Sequence, residues 1–349
     1  MLVMAPLNIK TSPFKGYFSY PDAFRFRGSV IPTIFPHFVV TTAFTSLIVY
    51  LYEIKGAQIA LPNSIVPSLA VVVGLLLVFR TNTAYDRYYE GRRLWTTLRT
   101  SIRNVSRQFW IQVVEEDNID RVEKDNAIKL LLAFAIATKY HLRGENDTPH
   151  LELEQLLPPE LQFTARLHYK NTYATNNLSS HRSSVDIDSE TGINLPLEIA
   201  FYLSMYVQKQ LKSKKIEGAQ NTVISNSLST MVDCFGSLER ILRTPIPLAY
   251  NIHLKQCLYV YCSALPFTLI KELHWKTISV VGIVAFTLFG IDGIGAEIEN
   301  PFGRDLNDLP LDDFCDELKR EVEYITAKVP KQLPKYDNDE PQSPLLIPI

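Results

Sequence analysis

The sequence predicts an all-α protein embedded in a membrane, and three observations carry that prediction. The 349 residues are 46% hydrophobic with a formal charge of −2, and a mean hydropathy of +0.01 averages over long apolar runs and stretches dense in charge. Four of the runs are of a length to cross a hydrocarbon core of roughly 30 Å. The stretches between them carry apolar residues at helical spacing. Four transmembrane helices per subunit joined to a large cytosolic helical region is the expected architecture.

The first run, residues 28–51, has no charge before Glu53. Pro32 and Pro36 fall in its first turns, where a helix tolerates or kinks at proline. The second run, residues 59–79, has Asn63 or Ser64 as candidate caps and is apolar on every face from Leu69 to Phe79, as a helix buried in lipid or deep in a bundle would be. From Arg80 the character changes. Arg80, Arg87, Arg92, Arg93, Arg99, Arg103 and Arg107 follow among aromatic and aliphatic residues, with no proline. The second helix is therefore expected to leave the membrane and continue to about Val114. An amphipathic helix is expected over 120–141, with Ile128, Leu131, Leu132, Phe134, Ala135 and Ile136 on its apolar side. Residues 144–194 are polar and rich in Ser, Thr, Asn and Asp, and read as a flexible insertion. Helices follow over 195–211 and 221–242.

The third run, 246–270, is interrupted by His253, Lys255 and Gln256, which are expected to face a bundle interior or snorkel. The fourth, 275–294, ends where Asp292 marks the approach to water. These runs divide the chain into an N-terminal segment (1–27), membrane helices 1 and 2 (28–80), a cytosolic helical region (81–245), membrane helices 3 and 4 (246–298), a C-terminal cytosolic segment (299–329) and a loose proline-rich tail (330–349).

Positive charge sets the expected orientation. The link between the first two runs carries only Lys55, and the arginine series follows the second run. Both termini and the middle region are thus expected in the cytosol, although the basic loop 271–276 falls outside. Arg25 and Arg27 precede the first run, and the apolar patch before them is too short for a signal-peptide core, so that run reads as a retained anchor.

The balanced charge argues against nucleic acid as a partner. Cys234, Cys257, Cys262 and Cys315 form no C-x-x-C pair and read as reduced, buried thiols. No H-E-x-x-H, G-x-S-x-G or phosphate-cradling glycine loop is present, and the seven histidines are scattered, so an enzyme is not expected.

Three features invite a functional reading. Val71, Leu75 and Phe79 recur every four residues and share one stripe of the second helix. Such a stripe serves helix packing, or it forms a hydrophobic constriction that gates by dewetting. Gly74 would let neighbouring helices approach. The arginine series, with Asp86 and Glu90 interleaved, is either an ion-paired helix face or the wall of a basic vestibule. The run from Asn300 to Asp308 clusters oxygen donors of the kind a hard cation needs, or it is a turn before a capped helix starting near Leu311.

The stretch G-L-L-L-V-F-R-T-N-T-A-Y-D-R-Y-Y-E-G-R-R from Gly74 to Arg93, I-P-L-A-Y from Ile246, E-N-P-F-G from Glu299 and N-D-L-P-L from Asn307 together resemble the bestrophin family, in its bacterial and plant-type branch. The resemblance covers most of residues 15–330. It implies a homopentamer around one pore, with five second helices forming a narrow neck. The matched neck positions are Val71, Leu75 and Phe79, with Leu75 in place of the bulkier aromatic of animal relatives. Arg80, Asp86 and Arg87 fall in the motif that leads into the vestibule. A second, cytosolic constriction maps loosely to residues 216–224. Calcium is implied as a regulator through Asn300, Asp305 and Asp308, with Arg304 breaking the acidic run, and no cofactor is otherwise required. The expected function is an ion channel for chloride and other small anions. A cation-selective channel of the same fold and a non-conducting membrane scaffold are the alternatives.

Overall fold

In a computed structural model that describes residues 26–62, 64, 66–145, 150–159, 161 and 194–327, every regular element among the described residues is a helix. The segment before residue 26, the candidate cap Asn63, most of the insertion and the tail beyond 327 lie outside the described residues. In chain order the helices are α1 (Ile31–Glu53), α2 (Val66–Gln112), α3 (Asn118–Leu142), a single turn α4 (Leu151–Glu154), α5 (Leu195–Lys212), α6 (Gly218–Arg243), α7 (Leu248–Leu273), α8 (Thr277–Ile298) and α9 (Leu311–Thr326). Three helical stretches are long and apolar enough to cross a membrane: Ile31–Glu53, Val66–Gln112 and Leu248–Ile298. The third is broken into α7 and α8 by a 3₁₀ turn at His274–Lys276, where His274 takes a φ of +48°.

The chain forms two compact units. The first comprises Met1–Leu98, Thr138–Thr148 and Asp233–Asp312. Its core joins α1, the start of α2, α7 and α8 through Ile34, Val73, Leu77, Leu254, Leu258, Cys262, Ala285 and Phe289. Gly293 permits the close approach of α8 to α1, since a Cβ there would lie 3.0 Å from Ile34. Along α1, Thr41, Thr45 and Ser46 return their hydroxyls to carbonyls one turn back, at 2.8–2.9 Å, so these groups need no partner from lipid.

The apolar run begins at residue 59, but the second helix begins at Val66, two residues past the candidate cap Ser64. Pro62 has no N–H to give a helix, whereas Pro67 fits a first turn. The preceding Leu61 N–H instead donates to the Phe267 carbonyl at 2.8 Å. From Val66 the helix runs unbroken for 47 residues, as the lack of breakers predicted.

The second unit comprises Arg99–Ala137, Pro149–Val232 and Asp313–Ile349. Here the amphipathic reading of α3 needs correction. Every residue from Leu130 to Ala137 is buried, including Leu130, Ala133 and Ala137, which lie outside the expected apolar side. A helix apolar on all faces belongs inside a protein, and the charges at its flanks suggested a wet face that its middle does not have. Lys124 is also buried, donating to the Val113 carbonyl at 3.0 Å and Glu115 at 2.7 Å beside the Trp110 ring. Cys234, Cys262 and Cys315 are buried and Cys257 is half-buried.

Candidate functional site on the second helix

Helical geometry divides α2 into two faces at its membrane end. Val73 and Leu77 turn into the bundle and are 3% and 2% exposed, whereas Val71, Leu75 and Phe79 turn away and are 72%, 54% and 56% exposed. The stripe singled out in the sequence is therefore more than half exposed rather than packed against the described helices. Gly74, beside it, has open space where a side chain would stand.

One residue beyond Phe79, Arg80 points the other way. It is buried and forms an ion pair with Asp292 of α8, also buried. Asp292 was expected at the approach to water, and its burial corrects that reading. A carboxylate in an apolar bundle is tolerated when a cation pairs with it. Gly295 leaves room for the Arg80 stem, which lies 3.4–3.6 Å from where a Cβ would be. Opposite charges at the ends of two apolar runs were the sequence signal for this pair.

Arg87 binds main-chain carbonyls at the ends of two helices. It donates to Ile241 at 2.7 Å and to Thr244 at the end of α6, and to Glu299 just past α8 at 3.0 Å. A guanidinium suits such carbonyls because they carry the negative end of the helix dipole. Burial pulls its pKa down, opposed by the nearby Glu299 and Glu90 carboxylates. The Glu299 side chain in turn accepts the Ile246 N–H at 2.9 Å, and the Tyr250 hydroxyl donates to the Leu76 carbonyl at 2.8 Å. Gly91 packs on the ring of Phe302, which would lie 3.1 Å from an added Cβ. Three motifs far apart in sequence thus interlock within the first unit. Asp86, by contrast, is exposed.

The arginine series splits by face. In the second unit Arg99 pairs with Glu317 at 2.6 Å, and Arg103 pairs with Glu321 at 2.5 and 2.7 Å. Ile216 and Ile224, in the stretch mapped to a second constriction, are buried in that unit, while Val223 is exposed.

The loop after α8 is organised by its own hydrogen bonds. The Asp308 carboxylate accepts the Asp305 N–H at 2.7 Å, and Asn300 Oδ1 lies 3.5 Å from the Phe302 N–H. Burial raises the Asp308 pKa. The Asn307 amide donates to the Gly28 carbonyl at 3.1 Å and to Glu297 at 2.9 Å. Among the described residues no three His, Cys, Asp or Glu side chains gather to hold a metal ion.

A chain whose described residues form helices alone, with membrane-length apolar stretches and an outward apolar stripe on its longest helix, is of the integral membrane class. The family described as "Bacterial/Fungal Bestrophin protein" matches residues 19–324, and the chain belongs to it. It is 45% identical over 310 residues to a protein named as a voltage-dependent anion channel-forming protein in Nostoc sp., covering 88% of this chain and 92% of that one. It is 46% identical over 308 residues to a protein of the same description in Synechocystis sp., covering 88% and 91%. A crystal structure of a bacterial bestrophin homologue from Klebsiella pneumoniae superimposes with a TM-score of 0.67 at 24% identity, covering 85% of this chain and 100% of that one. At that identity the likeness establishes the fold.

Proposed function

We propose that this chain forms an anion channel, as a ring of five copies in which α2 lines a shared pore. The exposed stripe Val71, Leu75 and Phe79 carries the proposal. One chain supplies one such helix, and an apolar face left uncovered on it is explained if it meets its own symmetry mates around an axis. The names given to the relatives supply the anion. The neck excludes water from a narrow apolar tube, so an ion crosses it only when it is wide enough to stay wet. In this reading α1, α2, α7 and α8 make four crossings, because the turn at His274–Lys276 returns the chain. The chain leading into α1 and the regions from Arg80 to Arg243 and from Glu299 onward face the cytosol. Conduction needs no cofactor, and the chain acts on ions without catalysing a reaction.

Native mass measurement in detergent is expected to give five copies. Phe79→Ala is expected to assemble equally well and to raise conductance or open probability. A monomer that conducts, or an assembled Phe79→Ala channel with unaltered current, contradicts the reading.

A further inference from the structure

The outward stripe of α2 does not stop at Phe79. The same face continues through Asn82, Asp86, Tyr89, Arg93 and Thr97, all exposed and all in the first unit. Successive members are three or four residues apart, which keeps them on one side of a helix with 3.6 residues per turn. The bundle face of the same stretch is occupied by Arg80, Ala84, Arg87 and Gly91, which are engaged as described above or packed inward. Two charges therefore stand on the outward stripe. Asp86 lies seven residues beyond Phe79, and Arg93 seven beyond Asp86, so each step is about 10 Å along the axis.

Neither charge is neutralised by a partner among the described residues. Glu90 is paired with Arg240 at 2.7 Å and Arg87 is held by carbonyls, while the Asp86 carboxylate and the Arg93 guanidinium make no hydrogen bond or ion pair among the described residues, the Arg93 carbonyl alone accepting from the Thr97 hydroxyl at 3.2 Å. Their separation exceeds the reach of a direct pair along one helix. It also matches or exceeds the screening length of roughly 8 Å in physiological salt, so each acts as its own step in potential.

Resting on the reading of α2 as pore-lining, we infer that Asp86 and Arg93 are opposed charge-selectivity residues at the inner mouth of the neck. Five Asp86 carboxylates form the first charged ring an ion meets below Phe79. They draw in cations and hold back anions at the point where hydration is restored. Five Arg93 guanidinium groups, one step further in, concentrate anions and offset that barrier. The preference of the channel is then a balance of the two rings, set on a neck that is itself uncharged.

The test is a reversal-potential measurement in bilayers with a sodium chloride gradient, using the full chain. Asp86→Asn is expected to raise the chloride-to-sodium permeability ratio severalfold, and Arg93→Gln to lower it severalfold. Both side chains are exposed, so neither change disturbs packing. Asp86→Cys, in a chain with Cys257→Ser, reports whether the position faces the conducting path: a negatively charged methanethiosulfonate reagent is expected to alter its current. Unchanged reversal potentials in Asp86→Asn and Arg93→Gln, or a current indifferent to the reagent, would overturn the inference. If Phe79→Ala still changes conductance, the failure is confined to these rings. If Phe79→Ala is silent too, the pore reading of α2 falls with them.

Discussion

Arg87 donates to three main-chain carbonyls from two helix ends, an arrangement that only a planar, five-donor cation satisfies. Arg87→Ala leaves those carbonyls without their partner and is expected to destabilise the fold by about 3 kcal/mol. Arg87→Lys should recover only part of that, because an ammonium cannot spread over three acceptors. Thermal unfolding in detergent, followed by loss of the monodisperse peak, measures both. Gly91→Ala pushes a methyl to 3.1 Å from the buried Phe302 ring and is expected to cost about 1–3 kcal/mol, with recovery in Phe302→Leu. Asp312 gives a pH-dependent case. Its hydrogen bonds to Arg143, helped by Lys139, outweigh partial burial and hold its pKa down to about 2. A carboxyl lowered in this way stabilises the fold fully above its unfolded value of about 3.9 and loses that contribution as pH falls through its folded value. Asp312→Asn should flatten the acid limb of a stability profile between about pH 4 and pH 2. None of these partners could be read from the sequence. A motif shows which residues are unusual, but the contacts of Arg87 span 212 positions.

At the scale of the element, α2 decides the account. Leu77→Ala is expected to cost about 2–5 kcal/mol, as for a buried aliphatic side chain. Phe79→Ala, two residues on but more than half exposed, should leave the stability of the isolated subunit nearly unchanged. A denaturant series on both variants separates the two faces. If Phe79→Ala costs as much as Leu77→Ala, the stripe is covered in the subunit itself. The length of α2 and the placing of its stripe were legible, because periodicity and the absence of breakers survive without tertiary information. Its start was legible only through the candidate caps, since Pro62 and Pro67 sit inside one apolar run and hydropathy does not distinguish helix from the extended approach to it. The failure at α3 had a related cause. Its alanines are too small to mark a face, so burial on all sides depends on what surrounds the helix, which the segment does not encode alone.

At the scale of the molecule, hydropathy and charge together announced a helical membrane protein, and the motifs announced the family. Contacts between distant stretches hold the first unit together: Arg80 with Asp292, Arg87 with Glu299, and Tyr250 with Leu76 fasten α2 to α7 and to α8 and its end. What they leave uncovered is the apolar stripe and the two charges below it. The central claim is that this surface becomes the wall of an anion-conducting pore. Purified protein in a planar bilayer under a tenfold sodium chloride gradient tests it most directly. The account predicts a current whose reversal potential lies on the chloride side of zero and which grows in Phe79→Ala. A reversal potential at the sodium side, or an intact pentamer that passes no current, would contradict it.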